Sequence, residues 1–121
     1  MSAAAQMDTA SPQLAAELWI SFASLLRSHV AMHAVAHPNA GLRMDGHSAG
    51  LELLGANGRL TISEPGVSGA GVVEFSSRAA KPENEHSAFF FTPDGFIRFE
   101  DLNREFDMEA AVEHLLRKVQ A

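Results

Sequence analysis

The 121-residue sequence contains no cysteine and only two lysines, Lys81 and Lys118. Without cysteine the chain forms neither a disulfide framework nor a thiolate metal site, and thiol catalysis is excluded. Fifteen acidic residues against nine basic ones leave a net charge of −6, and the arginines are scattered. Because nucleic-acid binding needs clustered lysine and arginine, the composition predicts no nucleic-acid partner.

Long apolar runs are also missing from the sequence. Glu17, Arg27 and several histidines interrupt the most hydrophobic segment, which therefore falls short of the roughly 20 apolar residues that cross a membrane. Residues 1–9 lack the basic start and the continuous apolar segment of a signal peptide. We therefore expect a soluble, cytoplasmic protein that makes no membrane contacts.

The remaining composition is that of an ordinary globular domain. Hydrophobic residues make up 46% of the chain and charged residues 20%, which is close to the average for folded proteins. Residues 1–10 are small and polar, and we expect them to form a disordered tail. Residues 11–121 are expected to fold as a single domain.

The segment from Ser11 to His37 predicts one long helix. Ser11 suits the N-cap, Pro12 suits the first helical position, and no other proline or glycine follows until Pro38. Apolar residues recur at steps of three and four, which predicts a buried face centred on Leu18. That face comprises Leu14, Leu18, Phe22, Leu25, Met32 and Ala36, with Trp19 and Leu26 near its edge.

After Asn39 the apolar residues alternate with polar ones, as in strands. Asn57-Gly58 and Pro93-Asp94-Gly95 are typical of turns between strands. Asp107 suits the N-cap of a second amphipathic helix that runs to the end of the chain. The order predicts an α+β fold: a long N-terminal helix, a five- or six-stranded antiparallel sheet and a C-terminal helix, with both helices on one face of the sheet.

Three histidines occur at intervals of four residues in the first helix: His29, His33 and His37. His29 falls in the middle of the predicted apolar face, where it is either a neutral core histidine with one hydrogen-bonded ring nitrogen, a pocket or proton-transfer residue, or a metal ligand. Because no third ligand is evident, we expect no metal site and no cofactor. We take His29 and His33 as candidate ligand-binding residues.

Arg43, Asp45 and His47 alternate, so a strand would place all three on one face. Such a trio either orients an anionic ligand or forms a solvent-facing row at a sheet edge. These residues complete the candidate ligand-binding set.

The segment Gly46-His47-Ser48-Ala49-Gly50 fits the G-x-S-x-G pattern of hydrolase nucleophile elbows. An elbow requires a helix immediately afterwards, whereas Leu51 opens an alternating strand pattern. We therefore expect a turn here and no catalytic residue, with a serine hydrolase using Ser48 as an alternative.

From the sequence we expect a small non-catalytic domain that acts by binding or self-association. The alternative to this function is a small-molecule-binding protein or small enzyme with a pocket between the sheet and the first helix, near His29 and His33; the serine hydrolase is a further alternative. Several apolar residues lie off the predicted buried faces, which predicts a homodimer that covers them. These residues are Phe90, Phe96, Ile20, Val30 and Val35.

Overall fold

The computed structural model describes residues 9–39, 41–47, 50–66, 69–77 and 84–120. Within these residues, one antiparallel sheet holds seven strands, each paired with its neighbours in chain order. The α+β class is thus confirmed, but the predicted strand number of five or six is too low. The elements are α1 (Pro12–Ala36), β1 (Arg43–His47), β2 (Gly50–Leu54), β3 (Gly58–Ser63), β4 (Ala70–Ser77), β5 (Asn84–Phe91), β6 (Ile97–Phe99), β7 (Arg104–Phe106) and α2 (Met108–Gln120).

The strand that the sequence did not predict is β7. It has three residues, too few for an alternating pattern to be visible. The chain reverses before it at Asn103, which has a φ of 49°, and Arg104 then pairs with Phe99 of β6. Asparagine tolerates this left-handed conformation better than most residues, which allows the tight reversal.

The bounds of α1 agree with the prediction, but its orientation does not. Ser11 Oγ accepts a hydrogen bond of 3.3 Å from the Leu14 N–H at the start of the helix. The buried residues are Ala15, Trp19, Phe22, Leu26 and Val30, a face rotated by about 80° from the one centred on Leu18. Of the predicted buried face, Leu18 and Leu25 are consequently only half-buried, Ala36 is exposed and Met32 is 66% exposed. Val30, which was predicted to lie off the buried face, is buried.

Aromatic contacts show that both helices cover the same face of the sheet. The ring centroids of Trp19 in α1 and Phe89 in β5 are 6.4 Å apart. His114 in α2 lies 5.4 Å from Phe99 in β6, and Phe99 is the cross-strand partner of Phe89. Cross-strand partners project from the same side of a sheet, so the hydrophobic core lies between this face and the two helices.

The core draws on α1, on strands β5 and β6, and on α2. Phe22, Phe89, Phe91, Ile97, Val112 and Leu115 are all buried. Gly71 is the cross-strand partner of Phe89, and a Cβ atom at Gly71 would collide with the Phe89 ring. Glycine at this position therefore lets the ring lie directly against the backbone of β4.

The β2–β3 turn and the residue before Ser11 are hydrogen-bonded to other elements. The Asn57 side chain donates a hydrogen bond of 2.7 Å to the Lys118 carbonyl, and its backbone N–H donates to the Val119 carbonyl at 2.8 Å. The β2–β3 turn thereby caps the end of α2. Gly95, with a φ of 87°, lies in the predicted turn between β5 and β6. Ala10 is buried and donates its N–H to the Phe91 carbonyl.

None of the described helices has the length and apolar character needed to cross a membrane.

Candidate functional site

The predicted ligand-binding residues lie on opposite sides of the sheet. His29 and His33 project from α1 on the covered side, towards α2. Arg43 and Asp45 are exposed in β1 and alternate with Met44, which packs against the core. Alternation therefore places them on the uncovered face. His47 ends β1, but its side chain lies outside the described part of the structure, so the five residues do not assemble into one site.

His29 forms a polar contact between the two helices. Its Nε2 atom lies 2.9 Å from Oε2 of Glu109 in the first turn of α2, and its side chain is 25% exposed. His29 is therefore hydrogen-bonded through one ring nitrogen, as the core interpretation expects, but it lies half-buried between the helices and not within the core. Because α1 is rotated by about 80° from its predicted orientation, His29 faces α2 and lies beside the carboxylate of Glu109. The sequence pattern did not predict this neighbour.

His33 lies in an open groove, as the small-molecule alternative requires, but His29 does not line it. The His33 and His37 rings are 4.7 Å apart between centroids, and Gln120 Nε2 lies 2.9 Å from His33 Nε2. The groove is bounded by the C-terminal ends of both helices and by the β2–β3 turn. Its lining residues are His33, His37, Asn39, Leu42, Gly55, Ala56 and Gln120.

A narrow polar cleft between β5, α2 and the β6–β7 turn was not predicted. Ser87 Oγ donates a hydrogen bond of 2.9 Å to Asp101 Oδ1. Lys118 Nζ lies 2.6 Å from Glu85 Oε1. His114 lines the same cleft. These polar residues come from segments that are far apart in the sequence and form no motif. Their proximity therefore could not be predicted from the sequence.

The surroundings of His114 in this cleft favour the neutral form of its imidazole. Burial lowers the pKa of His114 below its ordinary value, and the nearby Lys118 lowers it further. A neutral imidazole can accept a proton, but catalysis by serine needs the hydroxyl bonded to that imidazole. Here Ser87 donates to the carboxylate of Asp101 instead. The described geometry is therefore that of a polar packing contact and not of an activated nucleophile.

The G-x-S-x-G segment lies at the β1–β2 hairpin. Ser48 and Ala49 lie outside the described residues, but His47 and Gly50 on either side are cross-strand partners. Gly50 begins strand β2, whereas a nucleophile elbow leads into a helix. The flanking structure therefore differs from that of a hydrolase elbow.

Within the described ranges, no three or more histidine, aspartate or glutamate side chains are grouped so that they could hold a metal ion.

The uncovered face of the sheet has a charged part and an apolar part. By register, Asp45, Glu52, Thr61 and Glu74 follow one another across β1 to β4, and Glu52 pairs with Arg59 at 3.5 Å. The apolar part lies on β4, β5 and the β5–β6 turn. We call it the apolar patch, and its residues are Ala70, Val72, Ala88, Phe90 and Phe96.

Comparison of the chain with protein-family models, with curated proteins and with solved structures finds no match.

Proposed function

We propose that this protein is a non-catalytic binding domain that self-associates through the uncovered face of its sheet. The observation that carries the proposal is the one-sided packing: both helices contact the face that bears Phe89 and Phe99. Within the described residues both helices pack on this one face, and the opposite face then presents a broad surface for a second layer. A cysteine-free chain suits the reducing cytoplasm, where we propose that the protein acts.

The apolar patch is continuous across three neighbouring segments. Ala70 pairs with Phe90, and Val72 pairs with Ala88. Thr92, one position beyond the end of β5, donates its N–H to the Phe96 carbonyl and accepts the Phe96 N–H at its Oγ1. Phe96 is 41% exposed. Monomeric proteins seldom leave a large contiguous apolar patch in water, and a two-fold dimer covers one by pairing it with itself.

The charges around the patch favour a second copy of the same chain. On the uncovered face, Glu74 of β4 is the cross-strand partner of His86, two residues before Ala88 on β5. Arg98 of β6 is the partner of Phe90, two residues after Ala88. The two charges therefore lie diagonally on either side of Ala88. A two-fold axis that passes over Ala88 sets Glu74 of each copy against Arg98 of the other. Two symmetric ion pairs would then flank an apolar centre, the usual arrangement of a polar rim around an interface core.

Light scattering behind size-exclusion chromatography tests the proposal. We expect a mass of about twice the 13.0 kDa of one chain at micromolar concentration. Phe90→Asp should yield a folded monomer, as checked by circular dichroism. The matched control, Ile20→Asp, changes a residue on the outer surface of α1 that is 65% exposed, and it should stay dimeric.

A charge exchange tests the orientation of the two copies. Arg98→Glu should weaken the dimer by placing two glutamates together, and adding Glu74→Arg should restore it. A wild-type mass of one chain would refute self-association. A dimer that survives Phe90→Asp but is lost in Ile20→Asp would move the interface to α1 and refute the proposed face.

A further inference from the structure

His33 and His37 present two imidazoles side by side at the end of α1. They are four residues apart, which places them on the same side of a helix, and their ring centroids are 4.7 Å apart with the planes tilted by 39°. Of the two, His37 is exposed and His33 is half-buried. Among the described residues, neither imidazole has a carboxylate partner, in contrast to His29 with its bond to Glu109.

We infer that this pair binds a divalent transition-metal ion such as Zn²⁺ or Ni²⁺ in the groove between the helix ends. Imidazole nitrogen is a preferred ligand of these ions. With metal–nitrogen distances of about 2.1 Å and angles of about 90–109°, two imidazoles on one ion have centroids about 4.5–5.2 Å apart. The observed separation of 4.7 Å lies within this range.

The surroundings of the pair also suit a cation. α1 ends at Ala36 and α2 at Gln120, and residues from both helix ends line the groove. The C-terminal end of a helix carries partial negative charge, so two such ends favour a positive ion between them. The net charge of −6 acts in the same direction.

Side-chain amides supply further oxygen ligands. Gln120 already lies 2.9 Å from His33 Nε2, and turning its amide presents Oε1 in place of Nε2. Asn39 lines the same groove. Two imidazoles, one or two amide oxygens and water complete a coordination shell of four to six ligands. Because amide oxygens and water supply the remaining ligands, the site does not require three histidine or carboxylate side chains to hold the ion.

Calorimetric titration of the untagged protein with ZnCl₂ and NiCl₂ tests the inference. We expect one saturable site per chain for each ion and none for MgCl₂, because Mg²⁺ prefers oxygen ligands in octahedral geometry. His37→Ala removes an exposed ligand with little risk to folding and should lower the affinity at least about tenfold. His86→Ala, an exposed histidine of β5, is the matched control and should leave the affinity unchanged.

Nuclear magnetic resonance locates the site independently of the affinity. Zn²⁺ should shift the imidazole signals of His33 and His37, and Ni²⁺ should broaden them selectively. Absence of saturable binding, unchanged affinity in His37→Ala, or an equal loss in His86→Ala would each overturn the inference. Equal binding of Mg²⁺ would do so as well, since it would indicate a general acidic surface.

Discussion

Two adjacent leucines of α1 provide a direct test of how the helix is turned. Leu26 is fully buried, whereas its neighbour Leu25 is half-buried at the edge of the core. If α1 buried the face centred on Leu18, which the periodicity favours, Leu25 would be buried and Leu26 would lie at the edge of the buried face. The two orientations therefore predict opposite orders for the same chemical change, leucine to alanine, at consecutive positions.

The expected magnitudes follow from burial. Leu26→Ala empties a fully enclosed position and should lower the free energy of unfolding by about 3–5 kcal/mol. Leu25→Ala removes fewer contacts and lets water reach the vacated space, so we expect a loss of about 1–2 kcal/mol. Met32→Ala, at a position that is 66% exposed, should change stability by less than about 0.5 kcal/mol.

Urea denaturation followed by fluorescence measures these differences. Trp19 is the one tryptophan of the chain, it is buried, and its ring lies 6.4 Å from that of Phe89 in β5. Its emission therefore reports on the packing of α1 against the sheet. Equal slopes against urea concentration are needed for the comparison. A loss for Leu25→Ala that equals or exceeds the loss for Leu26→Ala would refute the described orientation.

Two further predictions concern the polar contacts of α2. Because the pKa of His114 is lowered in the folded state, the unfolded chain binds its proton more readily, and stability should fall as the pH drops below the ordinary histidine range. His114→Phe should flatten this dependence between about pH 7.5 and 5.5 in urea denaturation, and an unchanged slope would contradict the assignment. Asn57→Ala removes the side-chain bond to the Lys118 carbonyl and should cost about 1 kcal/mol, whereas Asn84→Ala at the exposed start of β5 should be neutral.

The features that could be predicted from the sequence are those fixed by neighbouring residues. Ser11 caps α1 as expected, and Asp107 caps α2, since its Oδ1 accepts a hydrogen bond of 2.7 Å from the Ala110 N–H. Asn57-Gly58 joins two antiparallel strands. Caps and turns depend on a few consecutive residues, so their chemistry is visible in the sequence.

The orientation of α1 depends on the whole fold and was not predictable. The helix carries only two formally charged residues, Glu17 and Arg27, so its polar side is weakly marked. Apolar residues such as Ile20 and Val35 occur on the outer surface as well. Packing of Trp19 against Phe89 selects one orientation among several that periodicity allows.

The candidate sites were only partly predictable, for a related reason. His33 was identified from its spacing to the other histidines, and the groove beside it is consistent with a binding role. The cleft of Ser87, Asp101 and His114 unites three distant segments, and no local pattern relates them. Glu109 likewise meets His29 only through the packing of α1 on α2.

The sequential order of the strands has a consequence for synthesis on the ribosome. Each strand pairs with the one made just before it, so the sheet can grow by successive hairpins as the chain emerges. α1 is made first, yet its aromatic partners Phe89 and Phe91 belong to β5, after most of the chain. Trp19 and Phe22 therefore lack these partners until β5 is made, and a chain that stalls before β5 leaves them available to chaperones and to other nascent chains.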